Sequence, residues 1–133
     1  MDKIQQDIYP ATLKLEKVNQ NLHKANVLDL KIKIKNNKAT IQTYDKRRDY
    51  NFSIINYPHI NSNVPIFMCY NIYKGQVLRH ARINNNIKTF IKNIKIINKA
   101  FMSRGYDINR LKKCFIEICN TTEIKDKYNI NIN

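Results

Sequence analysis

Tryptophan is absent from this chain of 133 residues, and glycine occurs only twice, as Gly75 and Gly105. Glycine-rich phosphate cradles of the Walker or dinucleotide-binding kind are thereby excluded. Cysteine is almost as scarce. Cys69, Cys114 and Cys119 are odd in number and include no Cys-x-x-Cys pair. That argues against both a disulfide framework and a zinc site, and fits a reducing compartment, cytoplasm or nucleus. His23, His59 and His80 lie far apart and show no ligand spacing, so no metal or other cofactor is expected. No apolar run approaches the ~20 residues of a membrane span, and the first residues lack the apolar core of an ordinary signal peptide. Acid is the scarcest commodity: 10 Asp and Glu stand against 24 Lys and Arg, and no two acids are adjacent. Phosphoryl-transfer chemistry with two metals needs paired carboxylates, so no catalytic residue is expected. Nor does any Ser or Cys stand at a recognisable spacing from a His.

What is present is positive charge, +14 in formal terms. Such a surplus repels itself unless an anion lies nearby. Nucleic acid is the first candidate, because each Lys or Arg set against a phosphate releases a counterion. An acidic membrane surface is the second, though nothing else here favours a membrane. Part of the charge is compositional, since the chain is rich in Lys, Asn and Ile together.

The hydrophobic period divides the chain. Up to about Tyr57 it alternates like strands. Ala11 to Val18 places Leu13 and Leu15 on one side. Leu28 to Lys35 puts Leu28, Leu30, Ile32 and Ile34 on one face, and Asp29, Lys31, Lys33 and Lys35 on the other. Asn36-Asn37 is a candidate two-residue turn, because Asn tolerates positive φ. The return strand, Lys38 to Tyr44, then sets Ile32 opposite Ile41 and Ile34 opposite Ala39. A polar and aromatic connection follows, with Pro65 marking its end.

From about Ile66 the period becomes helical. One helix is predicted to about Ile83, with Ile72, Gln76, Arg79 and Ile83 on one stripe and Tyr73, Val77 and Ala81 on a neighbouring one. Asn84-Asn85-Asn86 breaks it and supplies a cap for the next. The second helix, Ile87 to Ser103, has Ile87, Phe90, Ile91, Ile94, Ile97 and Phe101 as its core face. Lys88, Lys92, Lys95 and Lys99 line the opposite face. Gly105 stops it. Asp107 caps a third helix carrying Ile108, Leu111, Phe115, Ile118 and Cys119, and a short last piece starts at Thr121 or Thr122 and ends near Tyr128. The predicted class is α+β: a small antiparallel meander or hairpin over residues 1–64, three helices over 65–128, and a frayed tail over 129–133.

Several stretches also resemble a known family. They are Leu28-Asp29-Leu30, the run Tyr44-Asp45-Lys46-Arg47-Arg48-Asp49-Tyr50-Asn51-Phe52, the loop Asn63-Val64-Pro65 and the helix Gln76-Val77-Leu78-Arg79-His80-Ala81-Arg82. Together they resemble the segment after the catalytic aspartates in retroelement reverse transcriptases of a Penelope-like or related lineage. The resemblance extends weakly to Ile8-Tyr9-Pro10 and Arg104-Gly105-Tyr106. No Tyr-x-Asp-Asp occurs. The resemblance implies a palm edge followed by a thumb-like three-helix bundle that grips an RNA–DNA or DNA duplex, with no polymerase activity alone. It also implies the missing catalytic part of the polymerase as a possible partner.

The candidate contacts follow. Gln76, Arg79 and Arg82 come first, since Arg79 and Arg82 are three apart on one helix. Lys46, Arg47 and Arg48 come next, then Lys31 and Lys33 of the hairpin and Lys88, Lys92 and Lys95 of the second helix. Tyr44, Tyr50, Phe52 and Tyr57 are candidates for stacking on bases, and Phe52 and Tyr57 equally for a core. Two other classes remain open: a stand-alone basic nucleic-acid-binding or interaction protein, and a small magnesium nuclease. The nuclease would use Asp29-Leu30-Lys31 with Asp7 or Glu16.

Overall fold

The computed structural model describes residues 21, 23–52 and 54–129. The expected strand over 11–18, the acids Asp7 and Glu16, and the last four residues lie outside them.

Three strands, β1 (Lys24–Val27), β2 (Leu30–Lys35) and β3 (Lys38–Thr43), form an antiparallel meander in chain order. Asn36 and Asn37 make the β2–β3 turn with φ of 49° and 56°. Ile32 stands opposite Ile41 and Ile34 opposite Ala39, the expected register. One expectation fails. Leu28 is not the first residue of a strand: it turns with Asp29 between β1 and β2, at φ 51°, and is 91 % exposed. Lys24 to Val27 alternates in the same sense, with Ala25 opposite Ile32 and Val27 opposite Leu30. Leu28 is in phase with Leu30, Ile32 and Ile34, which draws the alternation back to it, but the apolar phase shifts by one residue at Val27-Leu28, and the turn lies there.

After β3 the chain makes a short 3-10 segment, Lys46–Asp49, capped by Asp45. Four helices follow: α1 (Ile66–Ile83), α2 (Ile87–Met102), α3 (Ile108–Cys119) and α4 (Thr122–Tyr128). The three expected helices are α1 to α3, and the expected short last piece is α4. Each start has a local cause. The Pro65 carbonyl accepts from the Met68 and Cys69 amides, opening α1. Asn86 Oδ1 accepts from Lys88 N at 2.8 Å, and Asp107 Oδ1 from Arg110 N at 2.8 Å, satisfying amides that no helical carbonyl reaches. Gly105, at φ +84°, ends the α2 turn.

The core is built by the helices and the approach to α1. Tyr73, Val77, Ala81, Phe90, Phe101 and Leu111 are fully enclosed. Phe101 is its centre: Tyr57 stacks on it at 4.1 Å, and Tyr73 and Tyr106 meet it edge-on at 5.2 and 4.8 Å. Ile87, expected on the core face of α2, is exposed at the first residue of the helix. The carbonyls at the end of α1 are covered by α4. The Tyr128 hydroxyl donates to those of Ala81 and Asn84, and Lys127 Nζ to that of Ala81. A cation there also complements the helix dipole.

No described strand residue belongs to this core. Ile32 and Ile41 are half-buried and Ile34 is exposed. The sheet is held chiefly by polar contacts at one end of β3.

Candidate nucleic-acid interface

Those contacts centre on Thr43. Its Oγ1 accepts from Asn84 Nδ2 at 2.8 Å and, more weakly, from Asn93 Nδ2 at 3.4 Å. It also lies 2.9 Å from His80 Nδ1. A hydroxyl has one proton and two lone pairs. With both lone pairs engaged, its proton goes to His80, which makes Nδ1 the acceptor and leaves the imidazole proton on Nε2. Burial, helped by Arg79 and Arg48, lowers the His80 pKa to about 4, so the ring is neutral at pH 7. The Thr43 amide and the Ile41 carbonyl complete the joint, with Asn84 Oδ1 and the Asn85 amide. His80, Asn84 and Asn93 are all buried, and among the described residues no buried polar side-chain atom lacks a partner.

The joint fixes the 3-10 segment against the helices, and there the basic residues gather. Asp45 grips Arg47 in a fork, accepting Nε at 2.7 Å and Nη2 at 2.9 Å, and also caps the Arg47 amide. The Arg47 hydrogen bonds hold the Asp45 carboxyl below its ordinary pKa. Arg48 Nη1 reaches Asn93 Oδ1 at 3.4 Å. Tyr44 donates to Asp49, which braces the other side of the segment.

Two clefts flank this segment. One, about 240 Å³, is lined by Lys31 of β2, Arg48 and Lys92 of α2, by the carboxylates Asp45 and Asp49, and by polar Thr43 and Asn93. The other, about 320 Å³, is lined by Lys46, Arg47, Gln76 and Arg79, with Asp29 and Asp45. Lys92 continues along α2 to Lys88 and Lys95, which are exposed beside Ile87 and Ile91. Seven of the sequence-predicted residues, remote in the chain, thus line two neighbouring clefts that share Thr43, Tyr44 and Asp45.

Others are placed differently. Arg82 leaves this region: it is forked on Glu123 of α4, Nε to Oε1 at 2.8 Å and Nη2 to Oε2 at 3.0 Å. Arg79 is ion-paired with Asp29. The two arginines therefore turn to different neighbours, and adjacency on the helix does not make them one contact surface. Lys33 lies on the sheet face with Lys31, opposite Thr40 and Lys24. Tyr57 is buried, while Tyr50 and Phe52 are exposed and touch each other at 5.3 Å between ring centres.

Asp29 sits in a turn, paired with Arg79, and not in a strand beside a second acid. Among the described residues no three His, Cys, Asp or Glu side chains converge on a metal-sized site. No described helix is long and apolar enough to cross a membrane.

The sequence does not single out Thr43 and Asn93; it marks His80 as a histidine without ligand spacing and Asn84 as part of a helix break, neither as a member of this joint. Their types gave a faint signal, since an Asn in the middle of an otherwise apolar helical stripe needs a partner.

Residues 56–116 match the animal helix-turn-helix domain, somewhat under half of the chain. The matched span runs from the approach to α1 through α2 and most of α3, and includes the short Gly105 turn between α2 and α3. No curated protein and no solved structure matches the chain.

Proposed function

We propose that the chain binds the sugar–phosphate backbone of nucleic acid through the clefts around the 3-10 segment and the lysine face of α2. The observation that carries this is the convergence of Lys31, Arg48 and Lys92, from three separate elements, on one cleft whose two carboxylates, Asp45 and Asp49, are engaged by Arg47 and Tyr44. The likeness to a helix-turn-helix domain over residues 56–116 is consistent with a nucleic-acid partner. Contacts of Lys and Arg with phosphates position a strand without reading its sequence. Arg48 is the prime member, since a guanidinium takes phosphate oxygens two at a time.

The order of hairpin and helical bundle along the chain also supports descent from the region after the catalytic motif of a reverse transcriptase, with the duplex as its natural ligand. On that reading the chain grips a duplex and leaves the chemistry to paired carboxylates elsewhere. Anisotropy with a labelled RNA–DNA duplex and a DNA duplex of the same length tests the binding. Arg48→Ala with Lys92→Ala is expected to weaken both by about ten-fold or more at low salt. Unchanged affinity would falsify the interface. The descent is tested separately, by reading the gene around this coding segment for a frame that encodes Tyr-x-Asp-Asp.

A further inference from the structure

A third cleft, of about 370 Å³, opens between the 3-10 segment, residues 54–57 and α2. Its lining mixes two kinds of side chain. Arg47, Arg48 and Arg104 bring three guanidinium groups, against a single carboxylate, Asp45. Beside them are Ile54, Ile55 and Ile96, which are 40 %, 74 % and 40 % exposed. Exposed isoleucines beside arginines fit neither a core nor a solvated charged face.

The arginines are held in place rather than used up. Arg47 is forked on Asp45, Arg48 touches Asn93, and Arg104 Nε donates to the Tyr57 carbonyl at 3.2 Å. Each guanidinium has five N–H donors, so these anchors engage only part of each. His80, also in the lining, presents a neutral ring.

A ligand that suits this mixed lining is an anion with a flat apolar body. We propose that this cleft takes one unpaired nucleotide, with its phosphate on Arg47, Arg48 and Arg104 and its base against Ile54, Ile55 and Ile96. The volume falls within the ~300–1,000 Å³ of small-molecule sites. Bases taken out of a stack are held between apolar side chains in just this manner. Bases inside a duplex are stacked and paired, so the nucleotide belongs to a strand end, an overhang or a bulge. The proposal rests on the backbone-binding reading above, because Arg47 and Arg48 also line its clefts.

The test is a titration of the ¹⁵N-labelled protein, followed by NMR, with AMP and separately with inorganic phosphate at matched ionic strength. AMP is expected to shift the arginine side-chain signals and the amides of Ile54 and Ile55 saturably. Phosphate is expected to bind the same arginines about ten-fold more weakly, since it lacks the apolar contact of the base. Ile55→Ser, at an exposed position, is expected to bring AMP down to the phosphate level without loss of the fold. AMP binding no tighter than phosphate, or AMP binding untouched by Ile55→Ser, overturns the proposal. Blunt-duplex affinity measured alongside separates the two readings. Duplex binding without AMP binding removes the nucleotide site alone. AMP binding in the cleft without duplex binding supports the site and removes the duplex interface.

Discussion

Thr43 and His80 meet at 2.9 Å, hydroxyl to Nδ1, and join the sheet to the helical unit. The helices own the core, so the sheet depends on this contact and its amide neighbours Asn84 and Asn93. The basic clefts depend on it in turn, since Lys31 and Arg48 approach Lys92 only when sheet and helices are docked.

Thr43→Val keeps the shape and removes the hydroxyl. Asn84 and His80 then lose their shared partner, at a cost of roughly 1–3 kcal/mol. Hydrogen exchange is the discriminating measurement. The amides of β2 and β3 are expected to lose protection, while those of the α1 and α2 core keep most of theirs.

The same contact is sensitive to acid. His80 is held neutral when folded, with a pKa lowered to about 4 from the ordinary 6.5. Its contribution is therefore complete above pH 6.5 and is lost progressively as pH falls towards 4, where the unfolded chain binds the extra proton. Protonation would also give Nδ1 a hydrogen, setting donor against donor at Thr43. The groups facing the ring work in the same direction, since Arg79, Arg48 and Arg47 outweigh Asp45. Urea unfolding at pH 7.5, 6.0 and 4.5 is expected to show falling stability, and His80→Gln a shallower fall.

Gly105→Ala tests the α2–α3 turn. At φ +84° a side chain is strained, and a Cβ would lie 2.9 Å from Ile60 Cγ2 and 3.4 Å from His59 Cε1. A loss of about 1–3 kcal/mol is expected from the backbone alone, read as a lower denaturation midpoint.

The three thiols are buried, and burial raises the Cys119 pKa to about 11. The thiolate is the reactive form. A thiol-specific disulfide reagent at pH 8 is expected to label all three rapidly in denaturant and slowly in the native protein. Fast native labelling of Cys114 and Cys119 would mean that α3 opens readily.

Much of this architecture was legible because it is local. The Asn36-Asn37 turn set the register of β2 and β3, and Asn86 and Asp107 announced their helices from the residues beside them. The Leu28 turn escaped because Leu28 is in phase with Leu30, Ile32 and Ile34, although the apolar phase shifts between Val27 and Leu28. The site was legible as residue types but not as partnerships. Thr43 meets His80, Asn84 and Asn93 across 37, 41 and 50 residues, and Arg82 meets Glu123 across 41. Side chains so far apart in sequence meet only through the packing of α1 against its neighbours, which no local pattern encodes.

Arg82, locked on Glu123, and Lys92, open on α2, look alike in sequence and differ in their surroundings. The most direct test of the interface is the salt dependence of duplex binding, plotted as log K against log salt. Replacing Lys31, Arg48 and Lys92 together by Ala is expected to reduce the slope by about 2–3, one lost counterion for each lost phosphate contact. Arg82→Ala is expected to leave it nearly unchanged. A triple variant with the parental slope, or an Arg82→Ala variant with the larger drop, would contradict the placement of the interface around the 3-10 segment.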